Sequence, residues 1–551
     1  MFKCPNCGGE LEYLPGTEII KCEFCDSKFT PEELGIRREV VADEHKQEPV
    51  YEEPLREEFD ATAYICPQCG GEILSTQEAA VTFCSYCGSQ VTLQSRLVKL
   101  KKPDYIIPFK IPEDECKKAY IRKLRGAIFA PSSMKKDTQI KKFRGIYMPY
   151  WVYDVKSGSK LSIKSHTDRR SGNYIIHDNY TTTMDLEGSV NGIAFDASSV
   201  FSDELSGAIA PYDISEAREF TPAYISSFYA DQGDVDAGIY VEDANFAAGE
   251  AIAKSVVDSN MRNVGMTESD VISAFTSTKI DEKIGYYPVW FLAARNKKQD
   301  RVSYAVINGQ TGKLAVDLPV DFLKYIIGAL IIAVPIFVVL TMFVTMTPKI
   351  LAIIVVLLSL LALLVANAML NTVYRRKGML DDIGLASRDS KKTAEIKKYR
   401  DKAREAARAA SKKKSSAGAF IATTVFTFFI MMSVGVTVVG SFLGGFVLWG
   451  VITIVRLIFQ IASQSSRNIN VKVAAPFKDK IGTMWKCCVG MVLCGAVFIL
   501  NPIEDFLYYG AAIVAIILAA WTVFDIIKAH NQLTTRTLPQ FGKRGGDENA
   551  Y

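Results

Sequence analysis

Cys4-Pro5-Asn6-Cys7-Gly8-Gly9 is followed by Cys22-Glu23-Phe24-Cys25-Asp26-Ser27, with fourteen residues between Cys7 and Cys22. The pattern returns 62 positions later as Cys66-Pro67-Gln68-Cys69-Gly70-Gly71 and Cys84-Ser85-Tyr86-Cys87-Gly88-Ser89, again with fourteen residues between Cys69 and Cys84. A Cys-x-x-Cys turn places two thiolates on one metal ion, and zinc prefers four such ligands in a tetrahedron. Glycine after a knuckle permits the backbone turn that brings amides toward sulfur. Each repeat has four ligands and none to spare. The pattern predicts two closed, structural Zn2+ sites, one on Cys4, Cys7, Cys22 and Cys25, the other on Cys66, Cys69, Cys84 and Cys87. A thioredoxin-like redox pair is the competing reading, but no βαβ pattern surrounds any of the four pairs. Units this small do not fold alone, so the metal is expected to supply most of their stability.

Outward from these repeats the chain divides sharply. Its 551 residues are too many for one domain, and its net charge of +4 averages over two unlike parts. Residues 1 to about 320 are mixed and often acidic; residues 322–530 hold long apolar runs between basic stretches. Met1 leads straight into Phe2-Lys3-Cys4, so no cleavable signal peptide is expected. Six runs approach the length a spanning helix needs: 323–345, 350–371, 418–440, 442–463, 485–502 and 506–527. The third and fourth are continuous and are split at Gly440-Ser441 and Gly444-Gly445.

Lys and Arg set the orientation of such spans. The loop at 372–417 carries Arg375, Arg376, Lys377, Arg388 and many more, and the loop at 464–484 adds Arg467, Lys472, Lys478 and Lys480. With six spans, every basic loop and both termini fall on the cytosolic side, in a multi-pass cell-membrane protein. The paired cysteines then sit in a reducing compartment, which favours metal over disulfides.

The expected architecture is multidomain. Two small β zinc ribbons occupy 1–35 and 63–95, joined by an acidic linker at 36–62. An α+β cytosolic domain follows at 103–320. An all-α bundle of six transmembrane helices takes 323–371, 418–463 and 485–527, with a basic cytosolic loop bearing a helix at 372–417 and a cytosolic tail at 528–551. Within the middle domain, a helix begins near Pro112-Glu113-Asp114, and 245–262 and 267–276 look helical. Lys160–Ser165 and Asn173–His177 alternate as half-buried strands do. Val302–Val306 and Leu314–Val316 form a hairpin about Asn308-Gly309 and Thr311-Gly312. Tyr147-Met148-Pro149-Tyr150-Trp151 is echoed by Tyr286-Tyr287-Pro288-Val289-Trp290, which hints at two related halves or simply at two aromatic core strands.

Charge tests the commonest use of ribbons. Residues 1–35 hold seven acidic side chains against Lys3, Lys21 and Lys28, and residues 63–95 hold Glu72 and Glu78 with no Lys or Arg. Nucleic-acid affinity rests on neutralising phosphates, so these ribbons are expected to repel it. Gly309-Gln310-Thr311-Gly312-Lys313 lacks the spacing of a phosphate loop and reads as a turn. His166 and His177 read as ordinary strand residues, and no catalytic set is visible.

Several stretches are familiar together: Cys66-Pro67-Gln68-Cys69-Gly70-Gly71, Pro103–Lys110, Gly145–Trp151, Thr221–Tyr229 and Tyr287–Lys313. Over about residues 60–325 the chain resembles a family of bacterial zinc-ribbon membrane proteins, labelled "TFIIB-type zinc ribbon" or "primosomal protein N′-like helicase". No Walker motif supports the helicase label. The resemblance implies work in membrane stress or membrane organisation beside phage-shock and flotillin-like proteins. The doubled ribbon and the long basic loop depart from the family's simpler form.

The expected function is a membrane-anchored adaptor or scaffold, without enzymatic activity, that binds cytosolic proteins at the lipid bilayer. A transporter or channel with a regulatory ribbon domain is the alternative, resting on Arg456 and Asp525 as ionisable residues in the spans. A nucleic-acid-binding protein at the membrane comes third. The basic segment 387–414 reads either as an interfacial helix on anionic headgroups or as a solvated loop.

Overall fold

The computed structural model describes residues 3–34, 58–75, 84–89, 94–171, 174–199, 201–258, 268–296, 301–343, 347–377, 382–386, 390–391, 393–398, 400–401 and 477–537. The first repeat forms its own antiparallel sheet of β1 (Leu11–Leu14), β2 (Ile19–Cys22) and β3 (Lys28–Phe29). Side chains alternate along a strand, so Leu11 and Tyr13 share one face and are buried while Glu12 is exposed. That face lies on the main body. The Tyr13 ring sits 5.7 Å from Tyr224 and 6.1 Å from Phe228.

The second repeat is not a separate ribbon. Its strands β4 (Glu58–Ile65), β5 (Glu72–Ser75) and β6 (Gln94–Lys101) join a mixed 12-stranded sheet. The sheet continues through β7 (Tyr105–Ile106), β8 (Arg144–Ser171), β9 (Tyr174–Asp196), β10 (Arg218–Glu219), β11 (Tyr229–Ala230), β12 (Ser277–Asn296), β13 (Arg301–Asn308), β14 (Leu314–Val316) and β15 (Arg536–Thr537). Its spine runs β10-β7-β12-β8-β11-β5-β4-β6, with β9 on β8, β13 on β12, and β14 and β15 on β13. Residues 58–62, expected in the linker, are therefore strand. Cysteine spacing marks ligands; it says nothing about which strand the flanking residues will pair with.

The two aromatic motifs lie on β8 and β12, which are antiparallel neighbours. Pro149 pairs with Tyr286 and Tyr147 with Pro288, so the motifs face each other across the centre of the sheet. Residues 308–313 make the expected turn between β13 and β14, in which the Asn308 side chain accepts the amides of Gln310 and Thr311 at 2.9 Å each. His166 pairs with Asn179 and His177 with Asp168 along the β8–β9 hairpin, as strand residues.

Helices cover the sheet: α1 (Glu113–Gly126), α2 (Asp137–Ile140), α3 (Asp203–Ile209), α4 (Val241–Asp258) and α5 (Glu268–Ala274). The predicted helices at 113, 245–262 and 267–276 are present with shifted ends. α4 and α5 pack Ile252, Ala253 and Val271 against Leu161 and Leu186, supporting the base of the β8–β9 hairpin. The hairpin continues past that support to Ser171 and Tyr174, where Tyr174 and Ile175 are 77% and 62% exposed.

The bundle of six transmembrane helices is corrected by the structure. The described apolar helices are α6 (Phe322–Phe343), α7 (Pro348–Lys377), then α8 (Ile383–Ala386), a short one beyond the run, and finally α9 (Phe477–Leu500) and α10 (Asp505–Leu533). Among the described residues two stretches are long and apolar enough to cross a membrane, Pro348–Tyr374 and Asp505–Leu533. α6 and α9 hold shorter apolar stretches, Phe322–Pro335, after which α6 continues to Phe343, and Met484–Leu500. Pro335 lies inside α6, and α9 carries Lys486 in its apolar portion, features that a count of apolar residues passes over. The expected spans at 418–440 and 442–463 lie outside the described residues, as does Arg456. Asp525 pairs with Lys486, whose ammonium also sits 4.3 Å from the Trp521 ring centroid.

The helices are fastened to the sheet at one end. Arg301 donates to Thr535 Oγ1 at 2.6 Å and to Gln532 O at 2.9 Å, just beyond and within the end of α10. Strand β15, three residues after α10, pairs with β13, and the Asn531 side chain bonds both amide and carbonyl of Val320. The basic stretch after α7 does not lie free. Ile383, Ala386 and Ile396 are buried with Tyr153, Val155 and Tyr240, and Arg400 is clamped between Asp203 and Asp243. The described part of the stretch read as a solvated or membrane-surface loop, up to Asp401, is thus packed onto the sheet domain, and residues 402–414 of it lie outside the described residues.

Candidate metal centres

Each cysteine quartet converges. In the first, Cys4 Sγ lies 3.6 Å from Cys25 and Cys7 Sγ 3.5 Å from Cys22. In the second, Cys66–Cys87 is 3.8 Å and Cys69–Cys84 is 3.7 Å. All four sulfurs of each set lie within 4.8 Å of one another. A tetrahedral ion with metal–sulfur bonds of ~2.3 Å sets its ligands ~3.8 Å apart, whereas a disulfide bond is ~2.05 Å. All eight residues named from the sequence are brought together, in two groups able to hold a metal ion such as zinc.

The local backbone explains the convergence. Gly8, Gly70 and Gly88 take positive φ of 73°, 71° and 67°, and Asp26 occupies the fourth equivalent position at 56°. The turns close with Gly8 N donating to Cys4 O and Gly70 N to Cys66 O, at 2.8 Å each. Gly71 N also donates to Cys69 Sγ at 3.4 Å.

The surroundings of the two quartets differ. All four cysteines of the second are buried, and its knuckle residue Tyr86 enters the core. Tyr86 OH donates to Asp231 Oδ2 at 2.8 Å, and Ser198 Oγ donates to the same oxygen at 2.8 Å. Burial raises the Asp231 carboxyl to about 7, against those two hydrogen bonds that favour its charge. Tyr304 OH donates to Tyr86 O at 3.0 Å, tying the knuckle to β13. Ser89 Oγ lies 3.0 Å from Cys87 Sγ and accepts from Arg295 at 2.6 Å. A positive charge is therefore relayed to the sulfur cluster through one hydroxyl, an outer-shell arrangement that orients ligands.

The first quartet sits at the surface. Cys7 and Cys25 are exposed, and Phe24, where the second repeat has Tyr86, is 74% exposed. Ser27 Oγ lies 3.1 Å from Cys25 Sγ, and hydrogen bonding to Ser27 lowers that thiol to about 6. The contacts that hold this ribbon in place come from its opposite face: Tyr224 OH donates to Glu32 at 3.0 Å, Arg218 pairs with Glu18 at 3.1 Å, and Gly16 N donates to Phe109 O at 3.1 Å.

Sequence reasoning picked out the eight cysteines that converge and missed what supports them. Asp231, Ser198 and Arg295 lie 145, 112 and 209 residues from Tyr86, so no spacing rule reaches them. The chain is 25% identical over 329 residues to YdjG of Bacillus subtilis (strain 168), described as an uncharacterized protein; the match covers 58% of this chain and 90% of that protein. No family model and no solved structure matches it.

Proposed function

We propose that the chain is a membrane-anchored adaptor: a sheet domain carrying two zinc sites, held at the bilayer by its apolar helices, that binds cytosolic proteins and takes part in membrane stress or organisation. The observation that carries this reading is the fastening of β13 and Arg301 to the end of α10, which makes the sheet domain and the apolar helices one mechanical unit. Zinc fits both quartets, and four thiolates leave no open coordination position for catalysis.

Orientation follows from charge. The ends of the helices beside the sheet domain carry Lys324, Arg375, Arg376, Lys377, Lys478, Lys480, Lys528 and Arg536; the opposite ends carry Lys349, Glu504 and Asp505. That asymmetry supports a cytosolic position for the domain. The acidic first ribbon argues against nucleic acid. The Lys486–Asp525 pair lies near the domain end of α9 and α10 and favours a helix-to-helix fastening over a transport path.

The outer β8–β9 hairpin offers Tyr174, Ile175 and Tyr180 to solvent and suits partner binding. Crosslinking in the native membrane is expected to recover cytosolic proteins with the chain. Replacing Tyr174, Ile175 and Ile176 by Ser is expected to reduce that recovery severalfold while the chain stays in the membrane. Unchanged recovery from the variant would contradict a docking role for the arm, and no recovered protein would contradict the adaptor reading itself.

A further inference from the structure

The loop joining α1 to α2 lies against an apolar helix. Phe129 O accepts from Asp321 N at 2.8 Å, Ala130 O accepts from Lys324 Nζ at 2.7 Å, and the Phe129 ring sits 5.6 Å from Tyr325. A Cβ on Gly328 would meet the Phe129 ring at 2.5 Å, so that ring rests on the second turn of α6. Beside it Ile128 is 72% exposed. An apolar side chain is thus presented at the depth where α6 would leave the headgroup region.

Basic side chains flank this apolar tip on both sides. Arg122, Lys123 and Arg125 end α1; Lys135, Lys136, Lys141 and Lys142 bracket α2, with Asp137 the acidic residue among them. Among the described residues none of these seven forms an ion pair. At the edge of the patch a cavity of about 380 Å³ opens between the second ribbon and α2, lined by Gln68, Ser89, Gln139, Lys142 and Arg295 and by no carboxylate. Arg295 pairs across the strands with Val302, which pairs with Arg536 just after α10. The cavity therefore opens about 10 Å, two strand spacings, from the helix end.

An apolar tip set among unpaired cations, at the end of the domain that meets its own apolar helices, matches an interface of headgroups above and acyl chains below. We propose that residues 122–144, with the Lys142–Arg295 cavity at their edge, form a binding face for anionic phospholipid headgroups. This face supplies a contact with negative lipid. The inference rests on the membrane-anchor reading above and adds to it a lipid preference and a location.

The test uses the full chain reconstituted in vesicles of phosphatidylcholine alone or of equal parts phosphatidylcholine and phosphatidylglycerol. Flotation reports anchoring. A membrane-impermeant amine-acylating reagent, read by mass spectrometry, reports the accessibility of Lys135, Lys136, Lys141 and Lys142, with Lys160 on the hairpin as reference. Protection by at least about fivefold on the phosphatidylglycerol vesicles is expected, the factor corresponding to ~1 kcal/mol per surface lysine, with Lys160 unchanged and high salt erasing the difference. Replacing all four lysines by Gln is expected to leave flotation intact and to abolish the phosphatidylglycerol-dependent exchange protection of backbone amides 127–130. Equal reactivity on both vesicles, with the chain still floating, would overturn the lipid face alone; failure to float on either would overturn the anchor as well. Equal protection by inorganic phosphate on phosphatidylcholine vesicles would also overturn it, as a site for a soluble anion.

Discussion

The two cysteine quartets share a spacing and a sulfur geometry, yet one is a surface module and the other is part of the core. In the first, Cys7 and Cys25 face solvent and the ribbon keeps a three-stranded sheet of its own. In the second, all four cysteines are buried and the flanking strands are built into the 12-stranded sheet. The same cysteine pattern is thus put to two jobs. At one site it belongs to a docked accessory and at the other to the centre of a domain, and whether the knuckle carries Phe24 or Tyr86 matters less than what those two side chains touch.

The largest expected effect separates these jobs directly. With zinc bound as proposed, binding supplies ~10–16 kcal/mol at a structural site. Cys69→Ser is expected to cost the sheet domain about 5 kcal/mol or more, removing its cooperative unfolding transition in denaturant. Cys7→Ser is expected to lower zinc from two ions to one per chain while costing the sheet domain only about 2 kcal/mol, the cover that Tyr13 gives Tyr224 and Phe228. Equal losses from the two variants would erase the distinction between accessory and core.

Next in size is a pH dependence set by Asp231 at the second site. Asp231 is fully buried, and burial raises its carboxyl from 3.8 to about 7. A carboxyl raised on folding contributes stability that is fully present below its unfolded value and is lost as pH rises through the folded one. The loss therefore falls between about pH 4 and pH 7 and is on the order of 4 kcal/mol. Asp231→Asn is expected to flatten this slope in unfolding measured with zinc in excess. A slope that persists in the variant assigns the dependence to another group.

The smallest effects come from the fourth knuckle position. A Cβ on Gly88 would lie 3.1 Å from Ala293 O at a φ of +67°, so Gly88→Asp is expected to cost about 2 kcal/mol. Asp26 already holds the equivalent position, at φ 56° and with Lys21 2.7 Å from its carboxylate at the surface. Asp26→Gly is expected to leave the unfolding midpoint nearly unchanged, relief of strain offsetting a weak exposed pair. Thermal unfolding of the two variants measures both.

The converging cysteines were legible because metal chemistry would fix such a local spacing. What surrounds them was not, because Tyr86 meets Asp231 and Tyr304 only after long-range strand pairing. The hairpin at Asn308–Lys313 could be read from its turn residues, whereas the placement of β4–β6 in the main sheet depends on which edges are free when the chain folds. Hydropathy found the apolar helices but overcounted spans, since averaging conceals Pro335 and Lys486. Charge identified the stretch after α7 as basic, yet Ile383 and Ile396 with Arg400 bind it to the sheet domain. The basic patch at 122–144 escaped notice because its cations come from two helices and a loop.

Timed release of metal to a chelator, followed together with amide exchange in β4–β6, tests the central contrast most directly. Two zinc ions per chain are expected to leave in separate phases: the first from Cys4, Cys7, Cys22 and Cys25 with β4–β6 still protected, the second only as that protection is lost. Release of both ions in one phase, or loss of β4–β6 protection with the first ion, would contradict it.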